Sequence, residues 1–306
     1  MTIVVGFAPD GRGRAVLHLA AMLARSADDD LVVGAVVPQP WPPSPARVDA
    51  EYQAYLDATA NSALEQARAR LPADVRATYA VHHARSAPAG LLELAEQHDA
   101  SVVVTGSSAA GGAGHVSLGS VTSRLLHSSP VPVAIAPRGF RARQDARVRR
   151  VTAAFGGAAG DLVVAAAGVA ARVGASLRLA SFAVRSRAPL TAGVGTGPER
   201  AVIEQWTREI EAAGRVALDE VEHLPVTPAA LQAVVGHGET WDEALEDVEW
   251  EDGDVLVVGS SSTGPVARVF LGSRASKIVR HSPVPVVVVP RGAAAELAEE
   301  AVAGTA

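Results

Sequence analysis

The chain has 306 residues, room for two domains of roughly 150 residues each. Apolar residues make up 48% and charged residues 20%, which argues against a disordered chain; aromatics are only 4%, so the core must be built from Ala, Val and Leu. A net charge of −6 gives no reason to expect nucleic acid or an anionic membrane as partner, and the lack of cysteine excludes a disulfide scaffold, a thiolate metal site and a Cys nucleophile.

The opening residues, MTIVVGFAPDG, carry neither a basic segment nor a long apolar core, so they do not read as a signal peptide. No apolar run approaches the roughly 20 residues that span a bilayer, and the expectation is a soluble, cytoplasmic protein. Residues 3–7 (IVVGF) read as a short buried strand, 13–25 as an Ala/Leu-rich helix and 31–37 as a second strand. The proline run 38–45 excludes regular structure, because prolines remove donors and fix φ. A long amphipathic helix (47–71), strand 75–81, helix 88–98 and strand 101–105 follow. A glycine-rich loop (106–118), helix 119–127 and strand 131–136 close the first unit.

A polar, arginine-rich stretch, 139–149, reads as a solvated linker, although Arg138, Arg141, Arg143, Arg147, Arg149 and Arg150 could also hold a phosphate or an acidic partner. The second half repeats the pattern: strand 150–155, helix 160–173, strand 177–184, helix 198–222, strand 226–235, helix 240–249, strand 254–258, loop 259–271, helix 272–281, strand 284–289. The Ala/Glu-rich tail, 293–306, reads as a frayed helix.

The halves are copies. Residues 102–139 align with 255–292 without a gap, at a constant offset of 153, and half of the 38 positions are identical, including GSS, LGS, SPVPV and PRG. Strands apolar on both faces, alternating with helices, predict an α/β fold: two tandem doubly wound domains, 1–140 and 149–292, each a five-stranded parallel sheet with helices on both faces.

In such sheets ligands bind beyond the carboxyl ends of the strands, where strand order reverses. The loop after the fourth strand begins Gly-Ser-Ser and ends Leu-Gly-Ser at a helix start in both halves. Glycine admits close backbone approach, and a helix N-terminus offers free N–H groups and a positive dipole end to a phosphate. The alternative is that Gly-Ser merely caps a helix, Ser being a favoured N-cap.

The tandem resembles two universal stress protein domains over residues 2–139 and 149–292. Nucleotide-binding members of that family carry Gly, two residues, Gly, nine residues, then Gly-Ser or Gly-Thr; Gly106 with Gly119-Ser120, and Gly259 with Gly272-Ser273, match the spacing. The resemblance implies a stress regulator, not an enzyme, with ATP or another adenine nucleotide on Gly106, Gly119, Ser120 and Ser123, and on Gly259, Gly272, Ser273 and Ser276; His115 and Arg268 would add charge. It also implies that the last strands, 131–136 and 284–289, pair within the chain, and it leaves open a homodimer of tandem chains.

Both halves depart from the family pattern. Ala109 and Ser262 replace the middle glycine, and Ala8 and Gly156 stand where nucleotide-binding members have an adenosine-contacting Asp; Asp10, two residues on, lies past the strand end. One lost charge-assisted hydrogen bond costs about 1.5–3 kcal/mol, so ATP binding is expected to be weak or absent. A degenerate scaffold or interaction module that binds no nucleotide is therefore the rival reading.

Other motifs carry less. GFAPDGRGRA (6–15) lacks the third glycine of a dinucleotide fingerprint, which would fall at Val16, and the lone lysine, Lys277, does not follow a glycine, which excludes a P-loop. His82 and His83 fall on opposite faces of a strand, and His127 and His281 at helix C-termini, which is poor geometry for a metal. No Ser-His-acid set or carboxylate pair recurs in both halves to support hydrolysis. Trp41, Tyr52 and Tyr55 read as staples for the proline loop or as a partner surface, and 186–197 has no readable role.

Overall fold

The protein is described by a computed structural model covering residues 1–8, 13–39, 47–108, 114–157, 160–184, 197–260 and 271–305. Asp10, Trp41, Ala109, Ser262, Arg268 and most of 186–197 lie outside the described residues.

The first half runs β1 (Thr2–Gly6), α1 (Gly13–Ala27), β2 (Asp30–Pro38), α2 (Arg47–Arg68), β3 (Ala77–Ala84), α3 (Ala87–Gln97), β4 (Ala100–Gly106), α4 (Ser120–Ser128) and β5 (Val133–Ala136). The second runs β6 (Arg150–Ala154), α5 (Asp161–Arg172), β7 (Ser176–Val184), α6 (Gly197–Glu222), β8 (Leu231–Gly238), α7 (Trp241–Glu246), β9 (Asp254–Gly259), α8 (Ser273–His281), β10 (Val286–Val289) and α9 (Arg291–Ala303). Within each half the five strands are parallel, in the orders β3-β2-β1-β4-β5 and β8-β7-β6-β9-β10. β10 pairs antiparallel with β5, so ten strands form one sheet.

Apolar side chains leave both faces of this sheet, and each face carries its own core. On one face Leu17 of α1, Leu64 of α2, Ala166 of α5, Ile210 of α6 and Ala294 of α9 pack together; on the other, Leu94 of α3, Leu125 of α4, Leu245 of α7 and Ile278 of α8 do so. The duplication reaches individual backbone bonds: Phe7 N–H donates to Gly34 O at 2.9 Å, and Phe155 N–H to Ala180 O at 2.8 Å, each just past the end of its first strand.

Four expectations need correction. The strand expected at 226–235 is displaced to Leu231–Gly238, because Pro225 and Pro228 lack donors and the ladder with β7 starts at Leu231↔Leu177. The helix expected at 240–249 stops at Glu246, beyond which Trp250 Nε1–H turns back to Leu245 O at 2.7 Å. The tail is not frayed. α9 buries Ala293, Ala294, Ala298 and Ala301, packs along α5, and ends at Gly304, whose φ of 70° lets the N–H groups of Gly304 and Thr305 close on Ala301 O and Glu300 O. The linker, finally, is tied to α1: Arg147 donates to Arg25 O, Arg25 Nη1 donates to Ala146 O at 2.9 Å, and the N–H of buried Val148 donates to Ser26 Oγ at 2.7 Å.

Candidate functional site

Strand order reverses between β1 and β4, whose carboxyl ends therefore diverge and leave room for a ligand. A cleft of about 700 Å³ opens there in the first half. Gly6, Phe7 and Ala8 from the end of β1 form one wall, Val37 and Pro38 from β2 a second, and Leu56, Thr59 and Ala60 from α2 a third. The loop after β4 supplies Gly106, Ser107 and Ser108, and α4 supplies Ser120, Val121 and Thr122 beyond Gly119.

Serines hold this loop in shape. Ser107 Oγ accepts the Ser117 N–H at 2.6 Å, and Ser108 N–H donates to Ser117 O at 2.7 Å, closing the glycine-rich segment across its neck. Thr122 Oγ1 donates to Gly106 O at 3.1 Å and meets Thr105 Oγ1 at 3.3 Å, tying the first turn of α4 to the end of β4. Two glycines sit close to their neighbours: a Cβ on Gly106 would lie 2.9 Å from Val16 Cγ2, so that side chain would have to shift, and one on Gly119 would lie 3.1 Å from Ser108 Cβ, a tight contact.

The capping reading of Gly-Ser does not hold as expected. Gly119 and Gly272 themselves occupy the N-cap positions of α4 and α8, with no side-chain cap, and Ser120 and Ser273 are the first helical residues, both exposed. Among the described residues no side chain caps the first N–H groups of α4, which lie beside the cleft.

Gly106, Gly119 and Ser120 line one cleft together, with Ala8 exposed on the opposite wall. Ser123 and His115 are not among its lining residues; position 122 has the helical phase that faces the cleft, so Thr122 takes the place expected of Ser123. Its signal was available, since Thr122 lies three residues after Gly119. His115 donates nothing there and its Nδ1 is buried without a partner among the described residues. In the second half Gly259 ends β9, Gly272-Ser273 opens α8 and half-buried Ser276 follows one turn on, while residues 261–270 between them are outside the described residues. A Cβ on Gly156 would meet open space.

Among the described residues the lining of the cleft holds no Asp, Glu, Lys, Arg or His, so backbone N–H groups and hydroxyls are what it offers an anion. Three histidines elsewhere are paired with acids: His82 Nε2 with Glu93 and His83 Nε2 with Asp57, each at 2.7 Å on opposite faces of β3, and His281 Nδ1 with Asp242 at 2.7 Å. Tyr52 and Tyr55 are 58% and 66% exposed on α2, and most of the proline loop they were expected to staple lies outside the described residues.

The model of the universal stress protein family matches residues 1–137 and again 149–290. The chain belongs to the universal stress protein family. It is 41% identical over 298 residues to a universal stress protein of Mycobacterium tuberculosis, covering 95% of this chain and all of that one, and equally so to one of Mycobacterium bovis. Among solved structures, a universal stress protein from Archaeoglobus fulgidus superposes with a TM-score of 0.56 at 18% identity, covering 95% of this chain and 98% of the other. That likeness carries the doubly wound fold of the family over both halves. Among the described residues no helix is long and apolar enough to cross a membrane.

Proposed function

We propose that this protein is a non-catalytic stress regulator of the cytoplasm whose association state or partners respond to weakly bound ATP or a related adenine nucleotide. The observation that carries the reading is the N-terminus of α4, uncapped by any side chain among the described residues and opening on a cleft of about 700 Å³ between the carboxyl ends of β1 and β4. Gly106, Gly119 and Ser120, with Thr122 in place of Ser123, would hold phosphates in the first half, and Gly259, Gly272, Ser273 and Ser276 in the second. The absence of an acid at Ala8 and Gly156, and of any charged side chain among the described lining residues, makes the binding weak.

The same observations favour one rival, a scaffold that binds no nucleotide and acts through protein partners. We take the units to be 1–140 and 149–292, and the β5–β10 ladder supports their acting as a fixed pair; any homodimer would then use other edges, β3 or β8.

Thermal unfolding with and without millimolar Mg-ATP, together with chromatography of nucleotide released on denaturation, separates the two. Saturation at 100 times the dissociation constant adds about 2.7 kcal/mol of stability. A raised midpoint that is lost in Gly119→Val with Gly272→Val supports the regulator. No shift and no released nucleotide support the scaffold.

A further inference from the structure

A second cavity, of about 150 Å³, lies away from the nucleotide cleft, on the helix-covered face of the sheet where the two halves meet. Val257, Val287 and Val289 form its floor, Leu23 of α1 and Val169 of α5 its walls, and Leu297 of α9 closes one side. These side chains offer water no hydrogen bonds, and an apolar pocket of this size suits a small hydrocarbon chain. The rim is different in character. Asp29 lies there with its carboxylate 3.0 Å from the Met1 ammonium, and Ser26 and Ser101 donate to the carbonyls of Met22 and Thr2. Arg172, the last residue of α5, also lines the rim, and among the described residues its polar contact is with Met1 Sδ at 3.8 Å. Among the described lining residues it is the side-chain charge without an opposite partner.

We propose that this seam cavity binds a short- to medium-chain alkyl carboxylate, its tail on the valine floor and its carboxylate on the Arg172 guanidinium. An ion of this shape matches both halves of the site: the apolar volume gains dispersion contacts, and the planar guanidinium accepts a two-oxygen partner in a fork. Because α1, α5 and α9 all border the cavity, occupancy would brace the two halves against each other. The site is separate from the proposed nucleotide cleft, and its test does not depend on that reading.

The test uses the full-length protein with octanoate as probe, followed by the methyl resonances of Val257, Val287, Val289 and Leu297. Octanoate is expected to shift these signals saturably, in the millimolar range or below, while leaving Ala8 and Ser120 undisturbed. Arg172→Gln, at an exposed position, should keep the fold and weaken octanoate about tenfold or more, with binding of neutral 1-octanol changed less than twofold. Val169→Phe, which fills the cavity, should abolish both. The proposal is overturned if octanoate causes no saturable shift in the parent protein, if 1-octanol binds and octanoate does not, or if Arg172→Gln binds octanoate as tightly as the parent does.

Discussion

Arg178 Nη2 lies 3.4 Å from Asp254 Oδ2, and both side chains are almost sealed from solvent, at 2% and 1% exposure. The pair is well surrounded. Arg178 Nε donates to Thr152 Oγ1 at 3.1 Å, Nη1 donates to Glu249 O at 2.7 Å, and the guanidinium sits 4.6 Å over the Trp250 ring. Arg150 adds a second cation at 2.7 Å from the same carboxylate oxygen. Burial, reinforced by Arg150, pushes the Arg178 guanidinium down to about 10, still charged at neutral pH. One carboxylate thus fixes the starting ends of β6, β7 and β9.

Asp254→Ala should consequently be among the most damaging single changes in the second half. It leaves buried Arg178 without its counter-charge and Arg150 with only exposed Glu251, 3.4 Å away, and the expected loss is about 3–5 kcal/mol. Urea unfolding measures it against Asp145→Ala, whose exposed pair with Arg143 should cost at most about 1 kcal/mol. Equal losses would show that the buried cluster contributes no more than a surface pair.

Restoring an acid beside the clefts should strengthen nucleotide binding. Ala8 is exposed on the cleft wall, and a side chain at Gly156 meets open space, so Asp is accommodated at both. Ala8→Asp and Gly156→Asp are each expected to raise ATP affinity about tenfold or more, read by calorimetric titration. Unchanged affinity in both would place the limit on binding elsewhere than the missing acid.

The α5–α9 contact predicts a sharp positional contrast. Ala301 is fully buried, so Ala301→Leu overpacks the contact and should cost about 1–3 kcal/mol. Its neighbour Val302 is 59% exposed, and Val302→Leu should change stability by less than about 0.5 kcal/mol. Two equal effects in thermal unfolding would mean that α9 does not dock in solution.

Acid should weaken the protein partly through His18. Burial, then the nearby Arg14, hold its imidazolium below the ordinary value of 6.5, against an opposing hydrogen bond to the Ala142 backbone. As pH falls below 6.5 the unfolded chain takes up this proton before the folded one, so stability from this site is complete above 6.5 and declines through the lowered folded value. His18→Gln should flatten that part of a urea-midpoint profile between about pH 7.5 and 5. A profile as steep as the parent's would assign the acid response to other groups.

Cleavage of the linker tests how firmly the halves hold each other. Val286↔Ile135, Val287↔Ala134 and Val288↔Val133 join the two five-stranded sheets, and a protease site inserted at exposed Gln144 would cut the one covalent tie. The nicked protein should elute at the size of the intact chain. Separation into two half-size species would contradict a fixed pair.

The sequence by itself determined the duplication and the fold, because both rest on local and repeating signals. Strands such as VVVT and LVV are apolar on both faces and separated by helix-length segments, which leaves a parallel sheet between two helical layers as the way to bury them. Gly106, Gly119 and Ser120 were legible for the same reason: their spacing is a chain property, and it brought them to one cleft. What crosses the chain was decided by tertiary structure. Arg178 interrupts an apolar strand, and only the arrival of Asp254 and Trp250 from 70 residues onward makes its burial tolerable. Alanine-rich α9 shows little amphipathic pattern; alanines on α5 let it approach closely enough to dock. The seam cavity has no sequence signature at all, because its walls come from α1, α5 and α9 and its shape from what those side chains fail to fill.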